Sequence, residues 1–311
     1  WSALKAFLAV VVLITLSTGG WEYYSYKVKQ AEPLTSQKET KSMLLEKVSA
    51  FHGSLMKTAN LSALIFSTEA KGDIETEQKQ YQTERKTLEL LYLELEKRVA
   101  SAPEYNTHFS VIERKYKTYL SAADTIFSAR LAAKSAKYSM LSETEKLFVF
   151  ADEVGSALIE IQYFMAPEKY FEQMLLVSVS AGEADTEILP IFKSIKEIKH
   201  TTKLSRLDAG MEEFVSSLNK SKRSFEKAEK GFSAFDSDGL APEAAQAYEH
   251  LAQGLKVEPS LVSYKKKELQ KEIEAKVHLG EVEVLISELS LSLRTLMNQV
   301  RGELDLSEQQ T

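Results

Sequence analysis

Arg130 is the side chain whose position asks most for a chemical explanation. It falls on the same helical face as Phe109, Ile112, Tyr116, Tyr119, Ala123 and Ile126, and a guanidinium in an apolar stripe requires a partner or a ligand, because burying an unpaired charge is costly. Lys134 lies one turn further along, and Lys57 and Asn60 stand on the first soluble helix. Lys57, Asn60, Arg130 and Lys134 therefore form the candidate ligand-binding set, able to hold an anion between helices. The competing reading is structural: an arginine that snorkels or pairs with a nearby Asp or Glu, beside cations that are simply solvated.

No other grouping promises chemistry. His52, His108, His200, His250 and His278 include no pair four apart on a helix, the spacing a helical zinc site uses. There is no phosphate-binding glycine loop, nucleophile elbow or HExxH sequence, and Asp/Glu pairs on helices are too common to nominate an acid and a base. The absence of cysteine removes disulfides and thiolate metal or redox sites. The expectation is a chain with no catalytic residues, no metal and no cofactor, and so not an enzyme. Asn60-Leu61-Ser62 and Asn219-Lys220-Ser221 match a glycosylation sequon, which in a helical bundle is background. A net charge of −6 over 311 residues, with Lys and Arg interleaved among Asp and Glu, argues against nucleic acid, which needs a concentrated basic surface.

The elements that must position these residues begin with Ala6 to Trp21, the most apolar unbroken stretch. With no charge between Lys5 and Glu22 it reads as a transmembrane helix of about 24 Å, extended by a snorkelling Lys5 and by Trp21, Tyr23, Tyr24 and Tyr26 at headgroup level. A cleaved signal peptide is the alternative, and both readings export the rest of the chain. The membrane helix and its flank occupy residues 1–26, and residues 27–311 form the extracytoplasmic part. Because the chain starts at Trp1 rather than Met and stops at Thr311 without a terminating signal, it is expected to be an excerpt from a longer protein; the sensor reading below expects a second membrane span beyond it.

Residues 36–311 read as all-α. The spacing predicts helices from Ser36 to the Gly72-Asp73 signal, from Ile74 to Ala100, from Tyr105 to Met165, and from Ser205 to Phe235. Between the last two lies a region from Glu168 to Lys203 interrupted at Gly182 and Pro190, with Pro167 ahead of it as a start signal. A short helix runs from Pro242 to Gly254, and a final one starts near Pro259 and carries Val282, Leu285, Leu289, Leu293, Leu296 and Val300 at coiled-coil spacing. Two of these helices are too long to be covered by one set of partners. The simplest arrangement is two stacked four-helix bundles sharing the two long helices.

This layout resembles the helical bimodular sensor domain of bacterial chemotaxis receptors and related sensor kinases. The local similarity lies in ANLSALIFSTEAKGD, at the end of the first helix, and in YKTYLSAADTIFSARLAAKSAKY, from Tyr116 to Tyr138. The resemblance implies a small organic acid held by arginine and polar side chains between helices. Where carboxylate-binding members carry arginines late in the first helix, this chain has Asn60, Leu61 and Leu64, which points away from that ligand. It further implies an extracytoplasmic sensor in the inner membrane of a bacterium, transmitting binding by helix displacement to the cytoplasm as a chemoreceptor. The alternatives are the sensor region of a histidine kinase that recognises a periplasmic binding protein, and a membrane-anchored structural rod. A homodimer paired through its first and last helices would hide spare apolar surface.

Overall fold

A three-four apolar repeat buries one stripe of a helix, and from residue 36 onward each such repeat has closed into one. The computed structural model describes residues 36–236, 239–256 and 258–309. The expected membrane helix over 6–21 lies outside them; among the described residues no helix is long and apolar enough to cross a membrane. Those residues are all-α, without strands: α1 (Ser36–Leu64), α2 (Lys71–Ala100), α3 (Asn106–Gln162), α4 (Phe171–Thr186), α5 (Ile188–His200), α6 (Leu207–Phe232), α7 (Leu240–Lys256) and α8 (Leu261–Gln309). Short 3₁₀ turns lead into α3, α4 and α6. The described residues divide into two compact units, one from 36–131 with 274–309 and one from 132–273. α3 runs for 57 residues without folding back, and it and α8 each contribute to both units.

In the first unit α1, α2, the start of α3 and the end of α8 enclose one core. α1 stops earlier than its sequence suggested. Gly72 is not the stop signal but lies in the first turn of α2. The chain leaves the helix at Leu64, whose carbonyl accepts the Ser67 N–H at 2.9 Å and the Ser67 hydroxyl at 2.7 Å, so two donors from one residue satisfy a helix end. The interior is aromatic: Tyr92 stacks on Tyr116 and on Phe109, with ring centroids 4.7 and 5.6 Å apart, and Phe51 meets Tyr116 edge-on at 5.3 Å. Burial pushes the Tyr92 hydroxyl up to about 12, so it stays protonated at physiological pH. Polar ties cross this core. Tyr119 donates to Thr58 at 2.7 Å, and Glu303 accepts from Tyr105 at 2.6 Å and from Lys41 at 2.7 Å, joining α1 and α8 to the 3₁₀ turn ahead of α3.

His52 of α1 lies 3.1 Å from the Ser290 hydroxyl of α8, and burial, helped by Arg294, holds its pKa below the ordinary histidine value. A histidine depressed in the folded state binds fewer protons there than when unfolded. Its stabilising contribution is complete above the unfolded value near 6.5 and is lost as pH falls below it. The melting temperature is therefore expected to drop between about pH 7.5 and about pH 5.5, and a His52→Gln variant should show a flatter profile over that window. Equal slopes in the two proteins would remove His52 as the cause.

The second unit is built from the end of α3, from α4 to α7, and from the start of α8, around its own core. The break in the fourth region falls at Glu187 rather than at Gly182. Pro190 supplies the reason: it has no N–H for the carbonyl of Thr186, four residues back, and α4 ends at that residue. Gly182 continues the helix, and its bare backbone accommodates the Gln162 amide, which a Cβ would meet at 3.1 Å. α4 and α6 approach closely enough that a Cβ on Gly231 would sit 2.5 Å from Val177. The Ser221 hydroxyl lies 2.7 Å from the Ala184 carbonyl and 2.6 Å from the Tyr248 hydroxyl, linking α4, α6 and α7. Asp236 accepts the N–H groups of Leu240 and Ala241, both at 2.9 Å, and so caps α7.

Candidate functional site

The four residues nominated from sequence do not share one environment. Lys57 and Asn60 are exposed on α1, whereas Arg130 and Lys134 are buried. The Arg130 guanidinium lies 5.0 Å above the Phe66 ring and donates to the Thr68 carbonyl at 3.4 Å, both in the turn between α1 and α2. Both contacts tie this arginine to that turn. Among the described residues no group of three His, Asp or Glu side chains could hold a metal ion.

The most unusual surface lies elsewhere, in the second unit, where α3 ends and α4 begins. Helix formation explains half of it. On α4, Met174, Val177, Ala181 and Ala184 face the core, which is ordinary amphipathic burial. The opposite side should then be polar, yet it carries Phe171, Leu175, Leu176 and Val179, exposed by 69, 55, 71 and 53%. The preceding connection adds Tyr163 and Met165, exposed by 73 and 94%. Single exposed apolar residues need no explanation, but a contiguous patch of aromatic, Leu and Met side chains marks an interaction surface.

Packing holds this patch in place. Between Tyr163 and Met165, Phe164, itself 36% exposed, meets Phe232 edge-on at 5.2 Å, while Tyr170 packs against Phe235 at 4.9 Å. Gln173 donates to the Gly231 carbonyl at 2.8 Å, fixing the first turn of α4 on the end of α6. With its alternate residues anchored, the connection presents Tyr163 and Met165 outward on a set backbone. Such pre-organisation lowers the entropy lost when a partner binds. Glu160, Glu168 and Glu172 are exposed along this stretch, and Lys169 sits over the Tyr170 ring. The arrangement suits a protein surface that is apolar at its centre.

Sequence reasoning passed over this face. Its signal was present in FMAPEKYFEQMLLVSV, residues 164–179, where apolar residues are too numerous for one helical stripe.

Comparison with known proteins rests on structure alone. No protein family's sequence profile matches the chain, and no curated protein matches it. Solved structures that share its fold include two of the TorS sensor domain. The sensor domain of the histidine kinase sensor TorS from V. parahaemolyticus superposes with a TM-score of 0.56 at 11% identity, covering 83% of this chain and 99% of that one. The complex of the TorS sensor domain with TorT, in the presence of TMAO, gives 0.56 at 11% identity over 86% of this chain and all of the TorS chain. The described residues thus have the all-helical fold of a histidine kinase sensor domain.

Proposed function

We propose that this chain is the extracytoplasmic sensor region of a bacterial inner-membrane histidine kinase, and that a periplasmic binding protein docks on the apolar face formed by the end of α3 and the start of α4. The observation that carries the reading is that face: six large apolar side chains held outward by an aromatic anchor, on a fold whose relative TorS forms a complex with TorT. The residues over 6–21 supply the membrane anchor. Docking that distinguishes two helix arrangements shifts their populations, and α8 carries the shift toward the membrane. A chemoreceptor output is the runner-up, with the same sensor logic and a different cytoplasmic partner. In neither case does this segment catalyse a reaction.

Two measurements test it. Reading the gene beyond Thr311 should reveal a second hydrophobic run leading to a kinase core; a methylation-type heptad hairpin would make the protein a chemoreceptor instead. Docking is tested by a Phe171→Glu, Leu176→Glu double variant against a binding protein encoded beside the gene. Loss of two central anchors is expected to weaken binding by about a hundredfold or more, with little change in melting temperature because both positions are exposed. Undiminished affinity would remove the face from the mechanism.

A further inference from the structure

The sequence contains seven methionines, all among the described residues, and six of them are shielded from water to some degree. Met56, Met140 and Met174 are buried, at 9, 1 and 7% exposure, and Met43, Met211 and Met297 are half-buried. Met165 is the exception, exposed by 94%. It stands in the connection between α3 and α4, on the apolar face with Tyr163 and Phe171, whereas Met174 faces the core from α4. The backbone that presents Met165 is held on both flanks. Phe164 meets Phe232 at 5.2 Å, Tyr170 packs on Phe235 at 4.9 Å, and Pro167 confines Ala166 to extended conformations. Leucine would present almost the same apolar surface. What methionine adds is a sulfur atom, open to solvent, that a two-electron oxidant can reach.

We infer that Met165 is a site of reversible oxidation by hydroperoxides, and that its sulfoxide weakens docking on the face formed by the end of α3 and the start of α4. The effect on docking rests on the role proposed for that face; the selective oxidation rests on exposure. The thioether sulfur attacks the terminal oxygen of the hydroperoxide, the O–O bond breaks, and the proton on the transferred oxygen passes to the departing hydroxide or alkoxide. Sulfur loses two electrons and becomes the sulfoxide, while the peroxide is reduced to water or an alcohol. Access sets the relative rates, because the oxidant must reach the sulfur: the path is open at Met165 and closed at Met140 and Met174. The extracytoplasmic side lies outside the glutathione and thioredoxin pools that keep the cytosol reduced, so a sulfur exposed there meets oxidants directly. Oxidation turns an apolar, flexible side chain into a polar, chiral one. On a face whose centre is apolar, docking then buries the new oxygen without a matching donor, and an unsatisfied polar group costs affinity. In the free protein the same oxygen stays in water, so the fold is untouched. Methionine sulfoxide reductases return the thioether, which makes the change a switch rather than damage.

The absence of cysteine leaves methionine as the only sulfur to follow. The full chain in detergent is treated with hydrogen peroxide, freed of it, and mapped by peptide mass. Trypsin cleaves at Lys169, between Met165 and Met174, so each is read on its own peptide. Met165 is expected to gain one oxygen at least about tenfold faster than Met140 or Met174. Equal rates at the three positions would overturn the site. The oxidised chain should then bind the binding protein encoded beside the gene about tenfold more weakly, with an unchanged melting temperature, and reductase treatment should restore the affinity. Met165→Leu keeps the apolar surface without the sulfur and should bind like the parent both before and after peroxide. If that variant loses affinity on oxidation as the parent does, the effect belongs to another residue; an oxidised parent with full affinity would equally overturn the switch. The Phe171→Glu, Leu176→Glu variant separates the two proposals. Should it lose binding while the oxidised parent keeps it, the switch alone fails; should it keep its affinity, the docking role fails and takes the switch with it.

Discussion

Replacing Glu268 by alanine is expected to cost about 3–5 kcal/mol of unfolding free energy, among the largest losses available to a single substitution in this chain. Lys265 and Glu268 lie one turn apart on α8 with both side chains more than nine-tenths buried, and the ammonium donates to the carboxylate at 2.9 Å. The attraction offsets the loss of hydration only while both charges are present. Alanine leaves the Lys265 ammonium in the interior of the second unit without its counter-charge, so the protein bears the desolvation of that charge. Denaturant midpoints of the parent and the variant measure the loss. A Lys265→Met, Glu268→Leu double variant, which removes both charges and keeps the volume, should recover most of the loss or exceed the parent. If the single variant melts with the parent, the pair is a surface-like ion pair and its burial has no energetic weight.

This pair also shows where sequence reading stops. α8 was legible as a long helix from Leu289, Leu293, Leu296 and Val300, and the predicted end of α2 at Ala100 agrees with the structure. Helical period is a local property, carried by residues three and four apart. In Lys265-Lys266-Lys267-Glu268, by contrast, a solvated charge run is the natural reading, and only packing by other segments sends the first and last of these inward. The same limit explains the α1 terminus: Gly72 is a strong local stop signal, but a serine pair of donors ended the helix eight residues before it. Arg130 was correctly singled out as buried. That it rests on Phe66 and the Thr68 carbonyl depends on how the turn after α1 folds back, which its own stripe does not encode. The apolar face at the start of α4 was missed for the opposite reason. Its residues are ordinary core formers, and their exposure becomes visible only when the buried side of the helix is known.

Phe127→Ala is the second substitution with a large expected effect, about 3–5 kcal/mol, from lost transfer energy and an incompletely collapsed cavity. Phe127 is 1% exposed and stacks on Tyr81 with ring centroids 4.3 Å apart and planes 24° from parallel, so the ring joins α2 to α3 in the first unit. The Tyr81 hydroxyl beyond it donates to Asp124 at 3.0 Å, and Asp124 in turn faces the Arg85 guanidinium at 3.3 Å. Burial, aided by the nearby Tyr119 and Asp124, pushes the Tyr81 hydroxyl far above its ordinary value, so this donor persists through alkaline titration. Tyr81→Phe keeps the stacked ring and leaves Asp124 with Arg85, and is expected to cost only about 1 kcal/mol. The contrast between the two variants assigns the stability of this contact to ring packing rather than to its hydrogen bond. Calorimetry should show Phe127→Ala melting well below Tyr81→Phe, with Phe127→Leu between them. The reverse order would mean that the polar chain from Tyr81 through Asp124 to Arg85, not the apolar stack, holds α2 against α3.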